Sequence, residues 1–298
     1  MDRRKFLKTG IFVAAAGLIN RQSGLASESP ANVTIVKNGS PQQMASKVFE
    51  ILGGVSTFIE KGDYVMIKPN MSWDRRPEYA ATTNPELVAA VVTICLKAGA
   101  KKVLIVDHTC NDARRSYKNS GIQDMAGDAG AEVRFVRDSH YVDAEIPKGT
   151  SINRWPIHKE VFRVDKLINM PILKHHSLSG LTIGFKNMMG LIGGNRGRIH
   201  RPFSERIVDI NRAIIPDLTI VDAIRVLRRN GPSGGSLQDV DELNTLIAGT
   251  DRVLVDAWSA RIFGTDPNTL EYLTLAHAAG MGNIDTNKFP AKHFDFKS

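Results

Sequence analysis

The stretch NPELVAAVVTICLKAGAKKVLIVD, residues 84–107, decides the fold class. Asn84-Pro85-Glu86 predicts the start of a helix, because proline is favoured in the first helical turn. Gly99 predicts its end, and KKVLIVD at 101–107 follows as a continuous apolar run. Such a run is typical of a strand that is buried on both faces of a parallel sheet.

The segments around this stretch continue the alternation of strand and helix. VTIVK at 33–37 and DYVMIKP at 63–69 predict strands, and Ser40-Pro41 opens a helix that runs to about Leu52. A further strand is predicted at 132–136. This β-α-β-α-β order predicts an α/β fold, Rossmann-like, in which a mostly parallel sheet carries helices on both faces.

The second half of the chain follows the same pattern less regularly. Strands are predicted at 166–169, 218–222 and 243–248, and helices at 178–191, 204–214, 251–262 and 268–279. Residues 138–163 have no readable pattern. We expect a single α/β domain over 33–298, which is compatible with two lobes at about 33–150 and 151–298.

The first 26 residues have the layout of an export signal. Arg3-Arg4-Lys5 and Lys8 precede an apolar run at 11–19, which is too short to span a bilayer as a helix, and small residues follow up to Ala26. The paired arginines predict a twin-arginine signal, which is recognised by the machinery that exports folded proteins. We therefore expect a periplasmic or other extracytoplasmic protein, with residues 27–32 as a short linker. Contact with the membrane is expected only if the signal is not cleaved.

The charge of the chain is compatible with a small acidic ligand. The net charge is +8, but residues 1–26 hold five basic residues and one acidic residue, which leaves the remainder at about +4. Such a mildly basic protein accepts small anions without requiring them. Export also argues against nucleic acid as a partner.

Polar residues follow several predicted strands at the point where each strand ends. They are Lys68 and Asn70, Asp107 and His108, Lys174 with His175 and His176, and Asp222. Ligands of open parallel sheets bind beyond the carboxyl ends of the strands, so we expect these residues to share a pocket. Side chains alternate between the faces of an extended segment, so only one of the adjacent histidines is expected to enter it.

The run KHHSLSGLTIGFKNMMGLIGGNRGRIHR at 174–201 supplies further candidates. Lys186 and Asn187 are expected to bind the anion, at the far end of a helix in which Gly180 and Gly184 share one face. Arg198, His200 and Arg201 lie in a glycine-rich segment that is a candidate for a flexible cover over a bound ligand. A mobile loop with solvated arginines is the preferred interpretation of this segment, and the cover is the alternative.

The cofactor motifs of common enzyme families are absent from the sequence. The glycines fit neither GxxxxGK[ST] nor GxGxxG, so ATP and NAD are not supported. The two cysteines, Cys95 and Cys110, are too few to hold an iron–sulfur cluster alone. The sequence leaves undecided whether a metal ion is bound, and Asp107 and His108 are the candidate ligands.

Motifs spread along the chain resemble those of the domain-of-unknown-function family 362. They are IKPN (67–70), TTNPELVAAVV (82–92), AGAKKVLIVDH (98–108), INMPILKHHSLSGLTIGFKNMMGLI (168–192), IVDAI (220–224), NGPSGG (230–235) and VLVDAWSARIFGTDP (253–267). The resemblance implies an α/β fold but no particular reaction. Many members carry a four-cysteine iron–sulfur segment that this sequence lacks. Arg228-Arg229 also stand where relatives have an acidic residue and a glycine.

Two hypotheses of function follow. In the first, an exported enzyme holds a small anion with its lysines, His176 moves a proton, and Asp107 or Asp222 orients the histidine or binds a metal. In the second, the chain is a ligand-binding or redox-accessory protein of the cell envelope with no catalysis of its own. The sequence does not decide whether the protein is an enzyme.

Overall fold

The computed structural model describes residues 33–298, so the signal and linker predicted for residues 1–32 lie outside the described part. Within it, the chain forms twelve strands. They are β1 (Val33–Lys37), β2 (Tyr64–Pro69), β3 (Lys102–Ile105), β4 (Glu132–Val133), β5 (Tyr141–Glu145), β6 (Arg154–His158), β7 (Lys166–Met170), β8 (Ile172–His176), β9 (Gly180–Thr182), β10 (Leu218–Leu227), β11 (Val240–Gly249) and β12 (Lys292–Asp295).

Eight α-helices connect these strands in the same range. They are α1 (Pro41–Ile51), α2 (Pro85–Lys97), α3 (Ala113–Asn119), α4 (Ile122–Asp128), α5 (Gly184–Asn187), α6 (Phe203–Ala213), α7 (Arg252–Phe263) and α8 (Glu271–Ala278). The helix starts at Ser40 and Asn84 are confirmed, because both side chains accept hydrogen bonds from backbone N–H groups of the first turn. None of the helices between residues 33 and 298 is long and apolar enough to cross a membrane.

The main sheet has ten strands, and most of its pairings are parallel. Its order is β12-β1-β11-β10-β7-β2-β3-β4, and β8 pairs with β10 and with β9. The pairings among β7, β2, β3 and β4 are parallel, as are those of β10 with β7 and β8, whereas β11 is antiparallel to both of its neighbours. The predicted α/β class is thereby confirmed. Strands from both halves of the chain join this sheet, and the division into lobes stays a prediction.

Alternating residues of the central strands pack into two apolar cores, one on each face of the sheet. Val65 and Ile67 of β2 join a core with α1, α2 and α4, whereas Met66 between them joins a core with α6, α7 and α8. This alternation follows from the period of two in a strand. It also explains why the run at 101–107 is apolar at successive positions.

The helix predicted at 178–191 is wrong over most of its length. Residues 177–179 form a turn, and β9 then runs antiparallel to β8, with Lys174 opposite Thr182 and His176 opposite Gly180. Gly180 adopts a φ of 72°, a left-handed conformation that glycine tolerates best. Gly180 and Gly184 therefore share no helix face. Only α5 and the 3₁₀ turn Met188–Leu191 are helical here.

Candidate functional site

A cavity of about 520 Å³ opens at the carboxyl edge of the parallel strands. It gathers the ends of β2 and β8, strand β9, helix α5 and the 3₁₀ segment Arg196–His200. Seven of the side chains expected at a shared pocket line it: Lys68, Asn70, Lys174, His176, Lys186, Asn187 and His200. The other expected residues lie outside its lining: Asp107, His108, His175, Arg198, Arg201 and Asp222.

Lys68 is held in place by protein acceptors. Its Nζ lies 2.8 Å from Asp107 Oδ1, 2.9 Å from Asn187 Oδ1 and 2.5 Å from the carbonyl oxygen of Pro69. An ammonium has three N–H donors, so all of them are used within the protein. Burial lowers the pKa of Lys68, and the charge of Asp107 opposes this shift. Lys68 therefore contributes positive charge to the cavity but no free donor.

Asp107 serves as the fixed partner of Lys68 rather than as a base that faces a ligand. Its Oδ2 accepts hydrogen bonds from the backbone N–H of Met71 at 2.8 Å and from Ser72 Oγ at 3.0 Å. A Cβ on Gly190 would overlap both the Asp107 carboxylate and the Lys68 side chain, so the glycine permits this close packing. The proposed role of Asp107 in orienting His176 has no contact to support it.

Lys174 is fully buried and reaches two backbone carbonyls. Its Nζ lies 2.5 Å from Ala81 O and 2.8 Å from Pro232 O, and 5.8 Å from the centroid of the Trp73 ring. Burial lowers the pKa of Lys174 to about 7, and repulsion from Lys186 acts in the same direction. The two carbonyls favour the ammonium, which keeps one N–H donor for the cavity.

Lys186 meets no oxygen acceptor among residues 33–298. Its Nζ lies 3.7 Å from Met189 Sδ and 5.6 Å from the centroid of the Phe203 ring. Burial lowers the pKa of Lys186 to about 8. The helix that carries it is fixed by Asp256, whose carboxylate accepts the N–H groups of Gly184 at 2.8 Å and Phe185 at 3.0 Å.

Of the two adjacent histidines, only His176 enters the cavity, as the strand alternation predicts. Its Nδ1 accepts the backbone N–H of Leu178 at 3.1 Å, so Nε2 carries the proton of the neutral ring. Burial, followed by Lys186 and Lys174, strongly lowers the pKa of His176. In this state the ring is a hydrogen-bond donor rather than a base. His175 turns away, and its Nδ1 accepts the N–H of Gly231 at 3.1 Å.

Asp222 lies outside the cavity and organises the backbone. It accepts the N–H of Asn84 at 2.7 Å and that of Ile224 at 2.9 Å, and burial raises its pKa to about 6. The carboxylate therefore ties the start of α2 to β10. The sequence predicted that Asp222 lies at this edge of the sheet, but not that backbone N–H groups already bind its carboxylate.

Asp107 and His108 do not form a metal site together. His108 Nδ1 lies 2.7 Å from Tyr141 Oη and 3.1 Å from Ile192 O, while Asp107 is bound to Lys68. Across residues 33–298, no three His, Cys, Asp or Glu side chains gather in a way that could hold a metal ion. The two neighbours diverge because consecutive residues leave a strand end in different directions.

The segment expected to cover the cavity does line it, but mostly through residues that were not predicted. Arg196, Gly197 and His200 line it, whereas Arg198 and Arg201 do not. The guanidinium of Arg196 donates to the carbonyls of His108 and Thr109, each at 2.8 Å, and so fastens this segment to the end of β3. The ring of His200 stacks on that of His176, with 6.3 Å between centroids.

Several lining residues escaped the sequence reasoning. They include Ser72, Trp73, Cys110, Thr182, Arg196 and Pro232. Thr182 is the most informative of them, because its Oγ1 is buried and has no hydrogen-bond partner among the described residues. Only the β8–β9 hairpin brings it opposite Lys174, and the predicted helix concealed that pairing. Both cysteines are unpaired, with Cys95 buried and Cys110 exposed.

The charged side chains that line the cavity are all basic. The lining contains Lys68, Lys174, Lys186 and Arg196, and none of its members is an aspartate or a glutamate. Among the described residues, Lys174, Lys186 and Arg196 form no ion pair, and Asp107 is occupied by Lys68. A bound anion would therefore meet several uncompensated cations.

Comparison with solved structures gives two distant likenesses. The lactate racemase apoprotein of Thermoanaerobacterium thermosaccharolyticum is 14% identical with a TM-score of 0.47, over 78% of this chain and 57% of the racemase chain. A protein from Thermotoga maritima is 12% identical with a TM-score of 0.37, over 80% and 58% of the two chains. The protein spans less than two thirds of either structure, and likenesses this distant assign no activity.

Comparison of sequences is more decisive. A thylakoid-associated protein of Synechocystis sp., sll1697, is 30% identical over 255 residues, which cover 83% of this chain and 77% of the relative. The model of a family described as a domain of unknown function, DUF362, matches residues 65–261. Because this match covers more than half of the chain, the protein belongs to the DUF362 family.

Proposed function

We propose that the cavity binds a small organic anion, such as a carboxylate or a phosphate ester. The observation that carries this proposal is the absence of any acidic residue from a lining that holds three lysines and an arginine. Unpaired buried cations are costly, and an anionic ligand would offset that cost.

The free donors of the cavity suit such a ligand. Lys174 keeps one N–H, Lys186 is not committed to an oxygen acceptor, and His176 presents its Nε2–H. Charge-assisted hydrogen bonds of this kind are about twice as strong as neutral ones. Trp73, Leu178, Met189 and Pro232 add apolar wall, so the ligand is expected to combine an anionic group with a short apolar body.

The proposal is tested by calorimetry on the purified protein. We expect 2-hydroxybutanoate or inorganic phosphate to bind, and the uncharged amide of the same acid to fail. The ammonium forms of Lys174 and Lys186 bind the anion, and their pKa values are lowered to about 7 and about 8. Affinity should therefore fall as the pH rises through this range. If the acid and the amide bound with equal affinity, or if the affinity for the acid did not change with pH, anion recognition would be contradicted.

A carrier without catalysis is the second candidate, and one observation favours it. Among residues 33–298, the one carboxylate that pairs with a lining lysine is that of Asp107, and Lys68 takes it up; the Nδ1 of His176 is occupied by a backbone N–H. Binding of the anion with no change in its mass after long incubation would support the carrier. Conversion of the anion would support an enzyme.

We further propose that the protein is exported by the twin-arginine route. The paired Arg3 and Arg4, the short apolar run at 11–19 and the small residues up to Ala26 support this proposal. The partner would be the twin-arginine export machinery, and the anion would be met outside the cytoplasm.

A further inference from the structure

The three lysines of the cavity differ in what surrounds their amines. Lys68 has three oxygen acceptors and Lys174 has two. Lys186 has none among the described residues, and a thioether sulfur and an aromatic ring lie nearest to its Nζ. Lys186 is therefore the lysine of this cavity whose ammonium no oxygen of the described residues holds in place.

A neutral amine in such surroundings is a nucleophile. Lysine is activated when it is desolvated in an apolar pocket or placed near another cation, and both conditions hold for Lys186. Burial lowers its pKa, and Arg196 contributes in the same direction. The cavity gives a small molecule access to this amine, since Lys186 keeps part of its surface exposed.

We infer that Lys186 forms a Schiff base with a small anion that carries a ketone or an aldehyde, such as a 2-oxo acid. This inference rests on the proposed anion binding: Lys174, whose ammonium two backbone carbonyls hold, would bind the carboxylate, while Lys186, which no oxygen of the described residues holds, attacks the carbonyl carbon. The Nε2–H of His176 and the Oγ1 of Thr182, which has no hydrogen-bond partner among residues 33–298, are further polar groups at the same cavity.

The step is balanced without any other reactant than a proton. The Lys186 lone pair forms a C–N bond while the carbonyl π pair moves to oxygen, which takes up a proton to give a carbinolamine. Loss of a proton from nitrogen and departure of the protonated hydroxyl as water then leave a C=N bond. No oxidation or reduction occurs, and the products are one protonated imine and one water.

Reductive trapping tests the inference on the intact protein. Purified protein is incubated near neutral pH with 2-oxobutanoate and cyanoborohydride, and the modified lysines are located by peptide mass spectrometry. We expect reduced adduct at Lys186 to exceed that at the exposed Lys97 by at least about tenfold, because a larger fraction of Lys186 is neutral. Lys186→Arg, which keeps the charge, should lose the adduct, whereas Lys97→Arg should keep it.

A parallel titration with 2-hydroxybutanoate separates the two proposals. It has no carbonyl apart from its carboxylate, so it reports anion binding alone. Adduct spread evenly over surface lysines, with 2-hydroxybutanoate still bound, would overturn the Schiff base and leave anion binding intact. Failure of both acids to bind would overturn both proposals. Because the adduct is mapped in the wild-type chain, a variant that fails to fold does not affect the result.

Discussion

At the scale of single residues, the acceptors around each lysine decide what its charge does. Lys68 is bound to Asp107 inside the protein, whereas Lys186 faces the cavity, and no oxygen of the described residues accepts a hydrogen bond from it. The same residue type therefore serves stability in one position and ligand binding in the other. Breaking a buried pair leaves an uncompensated charge, which costs about 3–5 kcal/mol.

This difference predicts that one of two matched variants affects ligand affinity and the other affects stability. Lys186→Met should weaken binding of 2-hydroxybutanoate roughly 10- to 100-fold, the equivalent of one charge-assisted hydrogen bond, with little change in the free energy of unfolding. Lys68→Met should instead lower the free energy of unfolding, because the Asp107 carboxylate loses its cation. Calorimetry and urea unfolding of both variants, with Lys97→Met as control, measure the two effects. Unchanged affinity in Lys186→Met would remove this lysine from the site.

At the scale of the element, the four-residue helix α5 is positioned by one carboxylate from another helix. Asp256 of α7 accepts the first N–H groups of α5, and Tyr272 Oη lies 3.4 Å from Asp256 Oδ2. Burial raises the pKa of Asp256 from 3.8 to about 7. The folded protein therefore holds this proton more tightly than the unfolded chain does.

The sign of the resulting pH dependence follows directly. The stability that Asp256 contributes is present at low pH and is lost as the pH rises from 3.8 to about 7. Between about pH 5 and about pH 7 the loss should be about 2 kcal/mol. In Asp256→Asn, which does not titrate, urea unfolding at these two pH values should show a smaller loss than in the wild type. If the free energy of unfolding fell by the same amount in the variant and in the wild type, Asp256 would have an ordinary pKa in the folded protein.

At the scale of the whole molecule, the proposed export signal gives a prediction that is independent of the cavity. In cells that possess the twin-arginine route, replacement of both Arg3 and Arg4 by lysine should retain the protein in the cytoplasm, because that route reads the arginine pair. Arg21→Lys, which keeps the same charge farther along the proposed signal, should still be exported. Fractionation of the cells followed by immunoblotting measures both. Export of the double variant would point to another route.

The sequence determined the alternation of strands and helices from 33 to 107, because apolar periodicity and helix caps act locally. It also placed Lys68 and Lys174 among the candidates, because residues at strand ends share one edge of a parallel sheet. Lys186 was a candidate at the end of a predicted helix, of which only the last turns exist. Only the tertiary structure decided which of these lysine charges are already satisfied. The Asp107 carboxylate pairs with the distant Lys68, and that of Asp222 accepts the distant N–H of Asn84. Thr182 is brought to the cavity by a hairpin that local propensity did not reveal. Such pairings depend on contacts between residues far apart in the chain, and these exist only once the sheet has formed.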